Sequence, residues 1–371
     1  MSTPGSSAAF QPDPATSRYL TKNRIVAVDI LRILAAVCVM YLHLSAVMEP
    51  GLERYCFAIL HFIFGYSSPA FFVLAGYFAC RNISWKKAFY NAWWCFAPFV
   101  LWNLLTIVIL GGYEFNGTFW QNAGTFLGIK CFLIQHLGDW QLGEQAGPPN
   151  LPLWFMRDLI FLFLLSPLLY KWARFLFPAL IILSICPVVS NYFMHNSLVT
   201  FSPYAITYFT AGCFLRRLPK PAQKKSLAYC SPRLLFFFLA AKLICWLITV
   251  LDPSLDTLKL TQISDSMIPS LFGTWMLYQL ARYIELKAPS LIPLALKLAP
   301  VTFLTFAGHV IIFALKGRSP LADSLPFTAI LPFVTFGIMA ALFFAMKRWC
   351  RPLLHLVAHY KLRPDDLAKH P

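Results

Sequence analysis

Three residues in one apolar run have the types and spacing for chemistry. The run RIVAVDILRILAAVCVMYLHLSA, Arg24 to Ala46, holds Asp29, Arg32 and His43 among almost wholly hydrophobic neighbours. In a helix, Arg32 and His43 stand eleven residues apart, about 20° in azimuth and roughly 16 Å along the axis. Asp29 lies one turn from Arg32, within reach of an i, i+3 pair. One face of a single helix therefore carries an acid–base pair and, three turns on, an imidazole. A charge inside a bilayer costs about 2.5–3.5 kcal/mol on insertion scales, so such residues mark functional sites. The guanidinium suits phosphate or carbonyl oxygens, and the imidazole suits proton transfer. The bland alternative makes Asp29 and Arg32 a helix-packing staple and His43 a satisfied core histidine.

Weaker candidates lie elsewhere. LPLWFMRDLIFL (151–162) places Trp154 ahead of an Arg157–Asp158 pair, which either holds a polar substrate at the outer mouth or only pairs there. His61, in the outer half of a second apolar run, either lines the same cavity or packs in the core. FLTFAGHVIIF (303–313) carries His309. His355 and His359 in HLVAH are spaced i, i+4, but with no third ligand near, a solvated amphipathic face is expected and no metal site. The ten cysteines occur singly, with no CxxC, and read as small buried hydrophobes. No Gly-rich phosphate loop, GxSxG or HExxH is present, which disfavours a nucleotide hydrolase, an α/β-hydrolase and a zinc protease.

These residues must be positioned by a membrane bundle. Of 371 residues, 58% are hydrophobic and only 12% charged, roughly half the charged share of a soluble domain. At about 20 apolar residues per crossing, that content fills about ten spans. They are predicted at 25–47, 56–80, 88–111, 153–173, 175–194, 201–216, 233–251, 265–283, 297–316 and 325–346, an all-α polytopic bundle. Residues 1–22 are expected to form a flexible cytoplasmic tail, 23–348 the transmembrane domain and 349–371 a second cytoplasmic tail. The net charge of +16 reflects topology and not nucleic-acid binding. With the N-terminus inside, 23 of the 31 Lys and Arg fall on the cytoplasmic side and five on the other, as the positive-inside rule requires. Both termini are thus expected in the cytoplasm of a cell inner membrane. The long segment 112–152 lies outside, and its part 119–137 is either an interfacial helix or a re-entrant piece. No internal repeat is visible, which counts against an inverted-repeat transporter.

R-x10-H in the first span, closely preceded by an Asp, resembles the integral membrane acyltransferase family 3. Three further segments carry the same resemblance. SSPAFFVLAGYFACR (67–81) is similar to the family's P-x-FFVLSGY signature, with basic Arg81 closing the span and Ala75 where the family usually has Ser. LPLWFMRDLIFL is similar to its LWFL segment. FLTFAGHVIIF is similar to its late S-F-x-x-Y-x-x-H segment, from which Phe306 and Ala307 depart. The matches run in order over residues 24–347.

The resemblance implies an enzyme that moves an acyl group, acetyl in the first instance, from cytoplasmic acyl-CoA to a hydroxyl of an extracytoplasmic carbohydrate or lipid-linked glycan. It implies no permanently bound cofactor. The basic inner loops, with Arg81, suit the phosphates of CoA, and Arg32 would meet a phosphate or the pantetheine amides. His43, further out, would be either the general base for the acceptor hydroxyl or the site of a covalent acyl-imidazole. Trp154, Arg157, Asp158, His61 and His309 would line the acceptor side. The rival readings are a transporter or flippase for a small polar solute or lipid-linked sugar, and a structural membrane partner without catalysis.

Overall fold

The computed structural model of the protein describes residues 25–45, 67–111, 126, 148–185, 203–251, 267–316 and 325–358. Twelve α-helices follow one another in these stretches. They are α1 (Val26–Ser45), α2 (Ser67–Ala79), α3 (Trp85–Leu110), α4 (Trp154–Ile185), α5 (Pro203–Arg217) and α6 (Lys220–Ala228). After them come α7 (Pro232–Leu251), α8 (Met267–Lys287), α9 (Ile292–Leu298), α10 (Thr302–Lys316), α11 (Leu325–Trp349) and α12 (Arg351–Ala358). No strand occurs among the described residues. The protein is an all-α membrane bundle. Five helical stretches are long and apolar enough to cross a bilayer, or six if the bent pair α6–α7 counts as one. The described residues thus do not reach the ten spans predicted.

One boundary differs from the sequence reading. The predicted break near residue 174 is absent, and α4 runs unbroken from Trp154 to Ile185 with Pro167 and Pro178 inside it. Lys171 and Arg174 mark a polar level, but KWARFLF contains no residue that stops a helix. The tail beginning at 349 is also not wholly free. α12 packs on α3 and α11, with Leu354, Val357 and Ala358 buried. The Trp102 indole N–H donates to the Val357 carbonyl at 2.9 Å.

α1 occupies the centre, touching α2, α8, α9, α10 and α11. Its N-terminal half packs through Ala27, Ile30 and Leu31 against α8 and α9. Its C-terminal end packs through Tyr41 and Leu44 against Leu331 of α11. The largest core cluster joins α2, α3, α4, α5 and α10 around Phe72, Phe99, Leu162 and Phe209. The turn from α2 to α3 is locally encoded. Asn82 takes φ 54°, a left-handed position that Asn tolerates, and the Ser84 side chain accepts from the Lys87 N–H to cap α3. The Lys87 ammonium donates back to the carbonyls of Ala79 and Arg81, which satisfies orphan groups at the end of α2.

α2 and α5 run in the same direction, the Tyr77 ring lying beneath the Arg216 guanidinium. The Arg217 guanidinium reaches the main-chain carbonyls of Tyr170 and Lys171 in α4. Arg81, Lys87, Lys171, Arg216 and Arg217 therefore gather at the end where α1 and α3 begin, which is the basic end of the bundle.

Candidate active site

A cavity of about 650 Å³ enters the bundle at the basic end. α1 contributes Asp29 and Arg32, and the α2–α3 turn contributes Arg81 and Lys87. Asp29 is buried and Arg32 half-buried. The i, i+3 spacing brings both to the cavity, because both side chains leave the same face of α1. Asn91 and Cys95 of α3 and Thr302 of α10 add polar groups to the wall, and Ala75 of α2 lines it as well. Ala75, where the family usually has Ser, brings no hydroxyl into this cavity. Lys87 falls just before the predicted span 88–111, and Asn91 and Cys95 belong to no motif.

The cavity ends against three phenylalanines, Phe71 of α2, Phe155 of α4 and Phe306 of α10. Their ring centroids are mutually 5.4–6.3 Å apart, in the tilted and edge-on geometries that aromatic quadrupoles favour. Beyond this collar lies the imidazole of His309, 6.2 Å from the Phe306 ring. His43 stands beside it, the two imidazole centroids 5.1 Å apart with planes inclined at 41°. His309 is fully buried and His43 half-buried. The Nδ1 of His309 is 2.7 Å from the Phe306 main-chain oxygen. α1 and α10 thus bring together two histidines that the sequence offered separately.

Other predicted residues fall elsewhere. Arg157 and Asp158 are buried, not set at an exposed mouth, and they pair with each other at 2.9 Å. Neither lines the cavity, although Phe155, Met156 and Leu159 around them do. Trp154 packs on Phe72 and Phe155. His61 and His359 lie outside the described residues. Among the described residues no three His, Cys, Asp or Glu side chains cluster as a metal site would require.

One residue the sequence reading passed over is central to the far side. Asn150, in PPNLP just before α4, is fully buried. Its main-chain N–H donates to Asn103 Oδ1 at 2.9 Å. Its side-chain amide donates to Thr106 Oγ1 at 3.1 Å and to the Ala307 carbonyl at 2.9 Å. Asn103 and Thr106 in turn donate to the carbonyls of Phe99 and Trp102 within α3. Asn150 therefore fixes α3 to the stretch of α10 that carries His309. A polar residue enclosed by prolines beside an apolar helix was the available signal.

With this geometry in hand, the comparisons with known proteins identify the class. The family model of acyltransferase family 3, described as an acyltransferase domain, matches residues 25–346. The chain belongs to that family, and the protein is a membrane acyltransferase. No curated protein and no solved structure matches the chain.

Proposed function

We propose that this acyltransferase takes an acyl group, acetyl in the first instance, from cytoplasmic acyl-CoA and gives it to a hydroxyl of an extracytoplasmic carbohydrate or lipid-linked glycan. The observation that carries the reading is the distribution of chemistry along α1. Arg32 faces a cavity rimmed by Arg81 and Lys87, while His43 meets His309 beyond the phenylalanine collar. Eleven helical residues separate the two levels by roughly 16 Å. A pantetheine arm, itself on the order of 15–20 Å, covers that rise with CoA phosphates left at the basic end.

In this reading Arg32 holds the pantetheine or a phosphate through directed guanidinium donors. Asp29 balances the charge of that face. Arg81 and Lys87 attract the nucleotide. The thioester passes the collar of Phe71, Phe155 and Phe306, which excludes bulk water from the acyl carbon. His43 removes the proton of the acceptor hydroxyl as it attacks, and the proton later returns to the departing thiolate. The basic end then faces the cytoplasm of an inner membrane, with both termini on that side.

The test uses His43→Ala and His43→Gln in the purified full-length protein, with acyl transfer and melting temperature measured on both. Loss of the base lowers transfer about 10²–10⁴-fold. Gln is nearly as slow as Ala because it cannot carry the proton, and the melting temperature moves little. A stable His43→Gln protein with near-normal transfer would overturn the assignment.

A further inference from the structure

We propose that His309 is the positioning residue for His43, a neutral acceptor that fixes which nitrogen of His43 is free to take a proton. This rests on the reading of His43 as the base and extends it. The starting point is the 2.7 Å separation between His309 Nδ1 and the Phe306 carbonyl oxygen. A carbonyl only accepts, so Nδ1 must carry hydrogen. In the neutral ring, Nε2 is then a bare lone pair, held in place by a main-chain group.

That lone pair is buried and has no partner among the described residues. The Phe306 and Phe313 rings, 6.2 and 5.4 Å from the His309 ring, offer no donor. The Trp102 indole N–H, on the neighbouring helix, is already given to Val357. Among the described rings around it, His43, 5.1 Å away between centroids, carries an N–H. Two imidazoles joined by an N–H···N bond of about 2.9 Å have centroids about 5 Å apart. The observed separation of 5.1 Å is therefore the one such a bond requires.

The result is a chain with one direction. The Phe306 carbonyl accepts from His309 Nδ1–H, His309 Nε2 accepts from one nitrogen of His43, and the other nitrogen of His43 is left bare toward the acceptor hydroxyl. During transfer the hydroxyl proton moves to that bare nitrogen, the new O–C bond forms at the acyl carbon and the C–S bond of the thioester breaks. The proton then passes from His43 to the thiolate and leaves as the free thiol of CoA. His309 takes no proton at any stage, as its apolar setting demands. It steadies the transient imidazolium of His43 in the way a carboxylate does in a hydrolase triad. Phe306 acts here through its main chain, so its departure from the family's Tyr does not touch this role.

Two conservative variants separate the halves of the His309 ring. His309→Asn keeps a short amide donor for the Phe306 carbonyl and removes the distal acceptor. His309→Gln places an amide oxygen near the Nε2 position. Acetyl-CoA is the donor probe, and kcat, donor KM and melting temperature are read for each. The expected result is a fall in kcat of about 10–100-fold for His309→Asn with donor KM unchanged, the usual scale for a supporting partner, and a much smaller fall for His309→Gln. In a His43→Gln background, His309→Asn should add nothing further, because the two act as a unit. Near-normal kcat in His309→Asn, or equal loss in Asn and Gln accompanied by a lower melting temperature, overturns the proposal. If His43→Gln is inactive while His309→Asn is normal, the base stands and the positioning role falls. If His43→Gln is itself active, the reading beneath both has failed.

Discussion

Gly76 and Gly212 hold α2 and α5 in backbone contact. A Cβ built on Gly76 would overlap the carbonyl of Phe209, and one on Gly212 would overlap the carbonyl of Val73. The obstructing atoms are main chain in both cases, so no side chain can swing aside. Close approach of this kind is how membrane helices gain contact where lipid removes the hydrophobic drive. Gly76→Ala or Gly212→Ala should destabilise the protein by about 3 kcal/mol or slightly more, the upper part of the range for overpacking. Gly337→Ala in α11, where a Cβ meets nothing within 4 Å, should be neutral or slightly stabilising. Thermal melts of the three variants in one detergent decide it, and equal behaviour would refute the contact.

The collar should set the size of acyl group that passes. Phe155→Ala and Phe306→Ala each remove a ring that is over nine-tenths buried. Truncation should cost about 3–5 kcal/mol in stability and shift the donor preference toward longer acyl chains, with more hydrolysis of the thioester by water. Rates across a series of acyl-CoA chain lengths test this. An unchanged length profile would reduce the collar to packing.

For Arg32 the expected loss is in donor affinity. Arg32→Ala should weaken acyl-CoA binding by about 1.5–3 kcal/mol, the scale of hydrogen bonds to charged groups. Arg32→Lys should recover only part, since an ammonium lacks the two directed donors of the guanidinium. Unchanged CoA affinity in a folded Arg32→Ala protein would point to a helix staple with Asp29.

Asn150→Ala removes two side-chain hydrogen bonds and leaves Thr106 without its donor in a buried setting. A loss of about 1–3 kcal/mol follows from one such unsatisfied group. The change should also lower transfer, because α10 is no longer tied to α3 next to His309. Tm and kcat measured together, with Thr106→Val as the milder comparison, provide the check.

Orientation is open to labelling. Ser226, exposed on α6 between Lys225 and Leu227, should react from the cytoplasmic side as Ser226→Cys in a background without native thiols. Labelling only from outside would invert the assignment of the basic end.

The signals that were legible in the sequence are local ones. The acid, guanidinium and imidazole of α1 share a face because helical period alone sets their azimuths. The basic end was readable from charge. Gly76 and Gly212 sit in small, apolar runs, but a single run does not say which helix approaches it. The break expected near residue 174 failed because charge reports where a helix meets the polar layer, not where it ends. His43 and His309 could be named singly, but their encounter joins positions 266 apart, 309 less 43, and no period reaches that far. Asn150 was missed for the same reason, since its partners lie 44 to 157 residues along the chain.

The bond from Trp102 to Val357 spans 255 residues, and that separation bears on biogenesis. Synthesis runs from α1 onward, so Trp102 must wait beside an open seam until α12 has left the ribosome. Closure of a loop that long comes late and slowly. During that interval Trp102 presents apolar surface that a membrane chaperone or a misplaced helix could occupy. A tag fused close behind Ala358 would act at this step, lowering the yield of assembled protein more than its stability once assembled.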